Sequence, residues 1–74
     1  MLMKAGRVSD AAEQFSRAIA ELPDFADAYD GLGFAREAQG RKAEAVGLYE
    51  KALSLKPDLA SARDHLARAR NQSH

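Results

Sequence analysis

The chain lacks cysteine, contains only 2 prolines and has no long apolar run in its 74 residues. Without cysteine, neither disulfide bonds nor a thiolate-bound metal can stabilise the fold, and the redox compartment stays undetermined. No apolar stretch approaches the roughly 18 residues of a membrane span, and the opening residues are too few for the apolar region of a signal peptide. We therefore expect a cytoplasmic protein that does not enter a membrane.

Residues suited to catalysis or metal binding are few. Histidine occurs only at His65 and His74. Asp64 precedes His65, but adjacent side chains on a helix point about 100° apart and do not form a pair. No spacing matches a zinc site, and no glycine-rich loop leads into the Lys-Ser/Thr pair that holds phosphate. We expect both histidines at the surface and predict a protein that is not an enzyme and binds no cofactor or metal.

The charges balance overall but not along the chain. The sequence has 11 basic and 11 acidic residues; residues 1–38 carry 4 basic and 7 acidic ones, whereas residues 39–74 carry 7 basic and 4 acidic ones. A basic patch on the second half is formed by Lys56, Arg63, Arg68 and Arg70. Zero net charge and one short patch release few counterions, so nucleic-acid binding is disfavoured.

One period organises the whole chain. When the sequence is shifted by 34 residues against itself, many positions coincide. The matching pairs include Gly6 and Gly40, Ala11 and Ala45, Ala18 and Ala52, and Pro23 and Pro57. A fixed period of this length is typical of stacked arrays of short structural units.

Within each unit, apolar residues recur every three or four positions, which predicts about four amphipathic helices and no sheet. The two prolines are expected to end the first and third helices, and Gly40 to supply the turn between the second and third. Asp24 is the predicted N-cap of the second helix. Gly31 and Gly33 lie inside that helix, where we expect them to permit close packing.

The central unit resembles the tetratricopeptide repeat. The residues that carry the resemblance, at the family's spacings, are Tyr29, Leu32, Gly33, Gly40, Ala45, Tyr49, Ala52 and Pro57. Residues 26–59 then form one complete repeat, residues 1–25 the second helix of a preceding repeat, and residues 60–74 a C-terminal half-repeat or capping helix. Pentatricopeptide repeats have a similar period, but the paired prolines and the Leu-Gly step favour the tetratricopeptide repeat. The resemblance implies an all-α fold, a short solenoid of antiparallel helix pairs.

The resemblance also implies a non-enzymatic protein–protein interaction module that binds a partner peptide in a concave groove. The groove residues carried over from the family are Asp27, Asp30, Phe34 and Glu37 in one helix, and Ser61, Asp64, Arg68 and Asn71 in another. Three carboxylates around Phe34 suit a basic or mixed peptide with one apolar anchor, and an ordinary solvated helix face is the alternative. The Lys, Asn and Arg set by which some family members clamp a chaperone's C-terminal carboxylate is absent, so that kind of docking is not expected.

The first helix has no preceding partner helix apart from a possible last turn in residues 2–5. Its apolar residues are therefore expected to be partly uncovered, which favours self-association. The residues concerned are Val8, Ala11, Phe15 and Ile19. A two-fold dimer is the first choice and a head-to-tail contact the second. The alternatives are a structural oligomerisation unit whose main partner is itself, a piece of a longer protein, and a marginal monomer.

Three arginines depart from the family pattern. Arg36 stands where the repeat has a second aromatic residue, and its aliphatic stem is expected to cover apolar surface while the guanidinium reaches water. Arg63 and Arg70 occupy the corresponding packing positions of the last helix. Charged residues there resemble the solvating helix that closes such arrays, so the C-terminal end is expected to be a true end.

Overall fold

The computed structural model describes residues 5–71, with side chains over residues 7–71. Its four helices are α1 (Ala5–Glu21), α2 (Ala26–Ala38), α3 (Lys42–Leu55) and α4 (Ala60–Asn71). No strand occurs within the described residues, and the predicted all-α repeat solenoid is confirmed. The last turn of a preceding helix was predicted in residues 2–5. Residues 2–4 lie outside the described part, and Ala5 is instead the first residue of α1.

Glycine and proline set the helix ends largely as predicted. α1 and α3 both stop two residues before a proline, because the pyrrolidine ring disfavours helical geometry in the residue that precedes it. Gly40 adopts a positive φ of 83° between α2 and α3, a conformation that costs glycine little. Its amide donates to the Glu37 carbonyl over 3.0 Å, and the Arg41 amide donates to the Arg36 carbonyl over 2.9 Å.

The predicted N-cap of α2 was wrong by one residue. Phe25, not Asp24, is the N-cap, and no side chain caps the helix. The Phe25 amide donates to the Leu22 carbonyl over 3.0 Å, and this turn carries the chain one residue further before the helix begins. The Asp24 side chain therefore precedes the position from which it would reach the free amides of the first turn.

α2 lies between α1 and α3 and contacts both closely. Gly31 and Gly33 are two positions apart, so they point about 200° apart around the helix axis. A Cβ atom on Gly33 would stand 2.6 Å from Cε1 of Tyr49 in α3, and one on Gly31 would overlap the ring of Phe15 in α1. Each glycine thus admits an aromatic ring against the α2 backbone, which confirms the predicted close packing.

Two small cores follow from this arrangement. The first joins α3 and α4 and consists of Ala45, Tyr49, Leu66 and Ala69. The second joins α1 and α2 and consists of Ala12, Leu32 and Ala35, with partly buried Val8, Phe15, Ile19 and Leu48 packed against it. Alanine makes up half or more of the buried residues in each core. The helix axes can therefore approach closely, and the few large side chains supply most of the buried apolar area.

Of the three arginines that depart from the family pattern, Arg63 and Arg70 are exposed as predicted, whereas the Arg36 guanidinium donates to the Gln39 side chain over 3.0 Å. The Arg36 side chain is 26% exposed, and its Nε lies 3.6 Å from the Glu44 carboxylate of α3. Arg63 and Arg70 are exposed on α4. Arg70 donates to the Glu50 carboxylate over 2.8 Å, so it ties α4 to α3 from the solvent side.

Replacing Gly33 with alanine should destabilise the protein. The added methyl meets the fully buried Tyr49 ring, and such overpacking costs about 1 to 3 kcal/mol. Gly47→Ala is the matched control, since it has the same change inside α3 with nothing within 4 Å of the added Cβ; it should stabilise by about 0.5 to 1 kcal/mol. Urea unfolding followed by circular dichroism measures both, and equal stabilisation by the two changes would contradict the close contact.

Candidate functional site

The two helices that carry the predicted groove residues meet across a polar contact. Asp30 of α2 is only 8% exposed, and its carboxylate accepts a hydrogen bond from Ser61 Oγ over 2.6 Å. The other carboxylate oxygen lies 2.9 Å from Nδ1 of His65. The hydrogen bond between them forms in the tautomer that carries its proton on Nδ1. Asp30 thus joins two side chains of α4 to α2.

His65 is not the surface residue that the sequence predicted. Its side chain is 21% exposed, and its ring packs between those of Phe34 and Tyr49, with centroid separations of 5.1 Å and 5.3 Å. His65 does pair with a carboxylate, but this carboxylate belongs to Asp30 on another helix and not to the adjacent Asp64. A usable signal was the repeat itself: His65 corresponds to Gly31, which faces the preceding helix pair.

Glu37, another predicted groove residue, is partly buried and accepts a hydrogen bond from the Tyr49 hydroxyl over 2.7 Å. Burial raises the pKa of Tyr49, and the hydrogen bond to Glu37 and the negative charge of Glu37 raise it further. The hydroxyl therefore stays protonated and continues to donate. Glu37 thus fixes the orientation of the Tyr49 ring within the core.

The exposed part of the predicted groove set differs from the three carboxylates that the sequence predicted. Asp30 is buried and Glu37 is engaged, so Asp27 and Asp64 are the two acidic side chains of the set that lie exposed. Phe34 is 52% exposed, as expected. The remaining members, all exposed, are Ser61, Arg68 and Asn71. The groove surface is an aromatic centre with charges of both signs around it.

A second open surface lies on α1. The side chains predicted for self-association, Val8, Ala11, Phe15 and Ile19, are all only partly buried. A cavity of about 410 Å³ opens beside the first three of them, and its lining is mostly apolar. The residues around it are Arg7, Val8, Ala11, Phe15, Gly31, Phe34, Ala35 and Ala38. Phe34 therefore borders both the groove and this cavity.

The described residues show neither a metal site nor a membrane span. Within them, no three His, Cys, Asp or Glu side chains are grouped so that they could hold a metal ion. None of the helices in residues 5–71 is long and apolar enough to cross a membrane. The polar cluster around Asp30 consists of hydrogen bonds that join helices.

Removing the Asp30 carboxylate should destabilise the chain by about 1 to 3 kcal/mol, since it removes the hydrogen bond from Ser61 and leaves Nδ1 of the largely buried His65 without this partner. Asp64→Ala is the matched control, because Asp64 occupies the same position 34 residues later and is exposed; we expect a change within about 0.5 kcal/mol. Urea unfolding of Asp30→Ala and Asp64→Ala measures the difference. Equal effects would contradict the buried role of Asp30.

Comparison with known proteins adds a family match. A protein-family model described as tetratricopeptide repeat matches residues 2–60. A search of curated proteins gave no match. A search of solved structures gave none either.

Proposed function

The chain belongs to the tetratricopeptide repeat family, and we propose that it binds a segment of a partner protein in the groove between α2 and α4. Repeats of this family serve as protein–protein interaction scaffolds and are generally not enzymes. Absence of catalysis, of nucleic-acid binding and of membrane binding is part of the proposal for this chain, as is the cytoplasmic location.

The exposed Phe34 ring supports this proposal more than any other single observation. A phenylalanine that is 52% exposed keeps a large apolar area in water, and exposed apolar surface with a polar rim is typical of binding sites. Stacking on the ring of His65 fixes one side of Phe34, so the ring is held in place before a partner arrives. A rigid aromatic side chain loses little conformational entropy on binding.

The charges around Phe34 suit a partner segment of mixed charge. Asp27 lies on the α2 side, and Asp64 and Arg68 lie on α4, all exposed. We propose a segment with one apolar side chain to cover Phe34 and with basic and acidic side chains on either side of it. Exposed pairs of this kind contribute orientation and selectivity more than affinity.

A peptide display library tests the groove. We expect selected peptides to combine an apolar or aromatic residue with charges of both signs, and to lose about 10-fold or more in affinity with Phe34→Ala or Asp64→Lys, because a few central contacts carry most binding energy. Leu22→Ala is the control, since Leu22 is 55% exposed and lies outside the groove set. Circular dichroism checks folding, and peptides indifferent to both groove variants would refute the groove.

Self-association through α1 is the second candidate. The observation that favours it is the partial exposure of Val8, Ala11, Phe15 and Ile19 beside the cavity of about 410 Å³. A second copy that covers this face would remove apolar surface from water. A structural oligomerisation unit is the extreme form of this candidate.

Sedimentation equilibrium over a concentration series tests self-association. Under this candidate the wild-type chain would be a dimer at tens of micromolar, roughly the strength of a small interface, and Ala11→Lys, which places a charge in the cavity, would be a monomer. Ala20→Lys is the control, because Ala20 lies on the exposed side of α1. A wild-type chain that stays monomeric throughout would rule this candidate out.

A further inference from the structure

Corresponding positions of α1 and α3 differ in how far they are covered. Ala45, Tyr49 and Ala52 of α3 are each 0% exposed. The residues 34 positions earlier, Ala11, Phe15 and Ala18, are only partly buried. Because the two helices have the same register of small and aromatic residues, the difference comes from what lies on them. A helix that packs on this face of α3 is therefore a template for a helix that could pack on α1.

Two helices cover this face of α3: α4, whose Leu66 and Ala69 share a core with Ala45 and Tyr49, and α2. On α1 the place of α4 is taken by α2, since Phe15 meets Gly31 as Tyr49 meets His65. The counterpart of α2 is therefore the element that the described residues do not supply.

Two contacts define how α2 packs on α3. Gly33 lies against the Tyr49 ring, where a Cβ would come to 2.6 Å from Cε1. One turn further along α2, Arg36 brings its Nε to 3.6 Å from the Glu44 carboxylate. The covering helix thus supplies a residue without a side chain opposite the ring, and an arginine three positions later opposite a carboxylate.

α1 carries the same two recognition points. Phe15 occupies the position of Tyr49, and the exposed Asp10 occupies the position of Glu44. The cavity of about 410 Å³ lies beside Phe15, and its opposite wall is formed by Ala35 and Ala38 of α2. A helix seated there would therefore contact α1 on one side and α2 on the other, as α2 itself contacts two helices.

We propose that this open face of α1 binds an α-helix of a partner protein that has glycine opposite Phe15 and arginine three residues later opposite Asp10. The site is distinct from the groove between α2 and α4, although Phe34 borders both. The partner helix is amphipathic, because Val8 and Ala11 present apolar surface to it while the rim is charged. Arginine is preferred to lysine, since its planar guanidinium matches a carboxylate.

Charge also favours one basic side chain at the contact with Asp10. The first half of the chain, residues 1–38, carries 7 acidic and 4 basic residues, and no ion pair with the Asp10 carboxylate occurs within the described residues. Arg7 lines the cavity, so the exposed Asp10 is the carboxylate that a basic side chain of the partner would meet at the predicted contact. Complementary charge of this kind raises association rates and selects orientation.

A second copy of this chain meets the requirement less well. α4 has Ala67 and Arg70 at the right spacing, but Ala67 carries a methyl group where Gly33 has none. In the α2–α3 contact, Lys51 lies near the Tyr29 ring. The corresponding residues are Arg17 in α1 and Arg63 in α4. If α4 of a second copy took the place of α2, these two positive charges would face each other. Within α1 itself, no glycine or alanine is followed three positions later by a basic residue.

A synthetic helical peptide tests the proposal directly. The probe is the α2 segment, residues 26–38, capped and stabilised with alanine, lysine and glutamate on its solvent side, and carrying one fluorophore. We expect binding to the full chain in the micromolar range, as is common for one short helix in a groove. Replacing the glycine at the position of Gly33 by leucine in the probe should abolish binding, because the leucine side chain would clash with the Phe15 ring.

A charge exchange identifies the contact on the chain. Asp10→Lys should weaken binding of the probe by about 5- to 10-fold, and changing the probe's arginine to glutamate should restore part of the loss, as expected for a close charge pair. Glu13→Lys is the matched control, since it makes the same charge change at the α1 position that corresponds to the solvent-exposed Gly47.

Three results would overturn the proposal. The first is no binding of the probe at about 1 mM to a monomeric chain, far above the range of helix-groove affinities. The second is binding that Glu44→Lys removes and Asp10→Lys does not, which would show that the probe exchanges with the chain's own α2. The third is a stable dimer that excludes the probe, which would assign the face to a second copy. Because Phe34 borders both sites, the groove proposal is judged separately through Asp64→Lys, which does not touch the cavity.

Discussion

The structure depends on two places where α2 has no side chain. Gly31 and Gly33 lie on opposite sides of α2, and each accepts an aromatic ring against the backbone, Phe15 from α1 and Tyr49 from α3. A methyl group at either position would push away the helix that faces it and disturb the alanine-rich packing on that side. In a chain this small little stability can be spared, so two contacts of a few kcal/mol each decide whether the array is packed at all.

The second dependence is polar. α4 packs on α3 through a shared apolar core and the Arg70–Glu50 hydrogen bond, whereas its hydrogen bonds to α2 come from Ser61 and His65, which both meet Asp30. Hydrogen bonds require particular distances and directions, so this cluster determines how α4 lies relative to α2. The position of Phe34 depends on this cluster, because Phe34 stacks on the His65 ring and His65 is bonded to Asp30.

Much of the fold could be predicted from the sequence because it depends on short-range sequence patterns. The period of 34 residues, the three-and-four apolar spacing and the turn at Gly40 each act within one helix or one connection. The cap of α2 was misplaced because the choice between Asp24 and Phe25 depends on one backbone hydrogen bond in the turn, to the Leu22 carbonyl. Local signals leave such boundaries uncertain by a residue or two.

The site was harder to predict because its contacts cross between helices. Phe34 was identified as exposed, since family spacing places it on the open side of α2. Asp30 was counted among the available carboxylates, however, because its partner His65 lies 35 residues away and nothing in the sequence near either residue indicates the pair. A buried acid looks like any other acid on a helical stripe until the facing helix is known.

α1 and α3 are equivalent helices of the repeat, but the small and aromatic residues of α3 are buried, whereas the corresponding residues of α1 are partly exposed. Amide hydrogen exchange in the monomeric chain measures this directly, because exchange through local opening reports how strongly each helix is held. Amides in the middle of α1, around Phe15, should exchange about 10- to 100-fold faster than those around Tyr49 in α3. Equal protection of the two helices in the monomer would contradict the account.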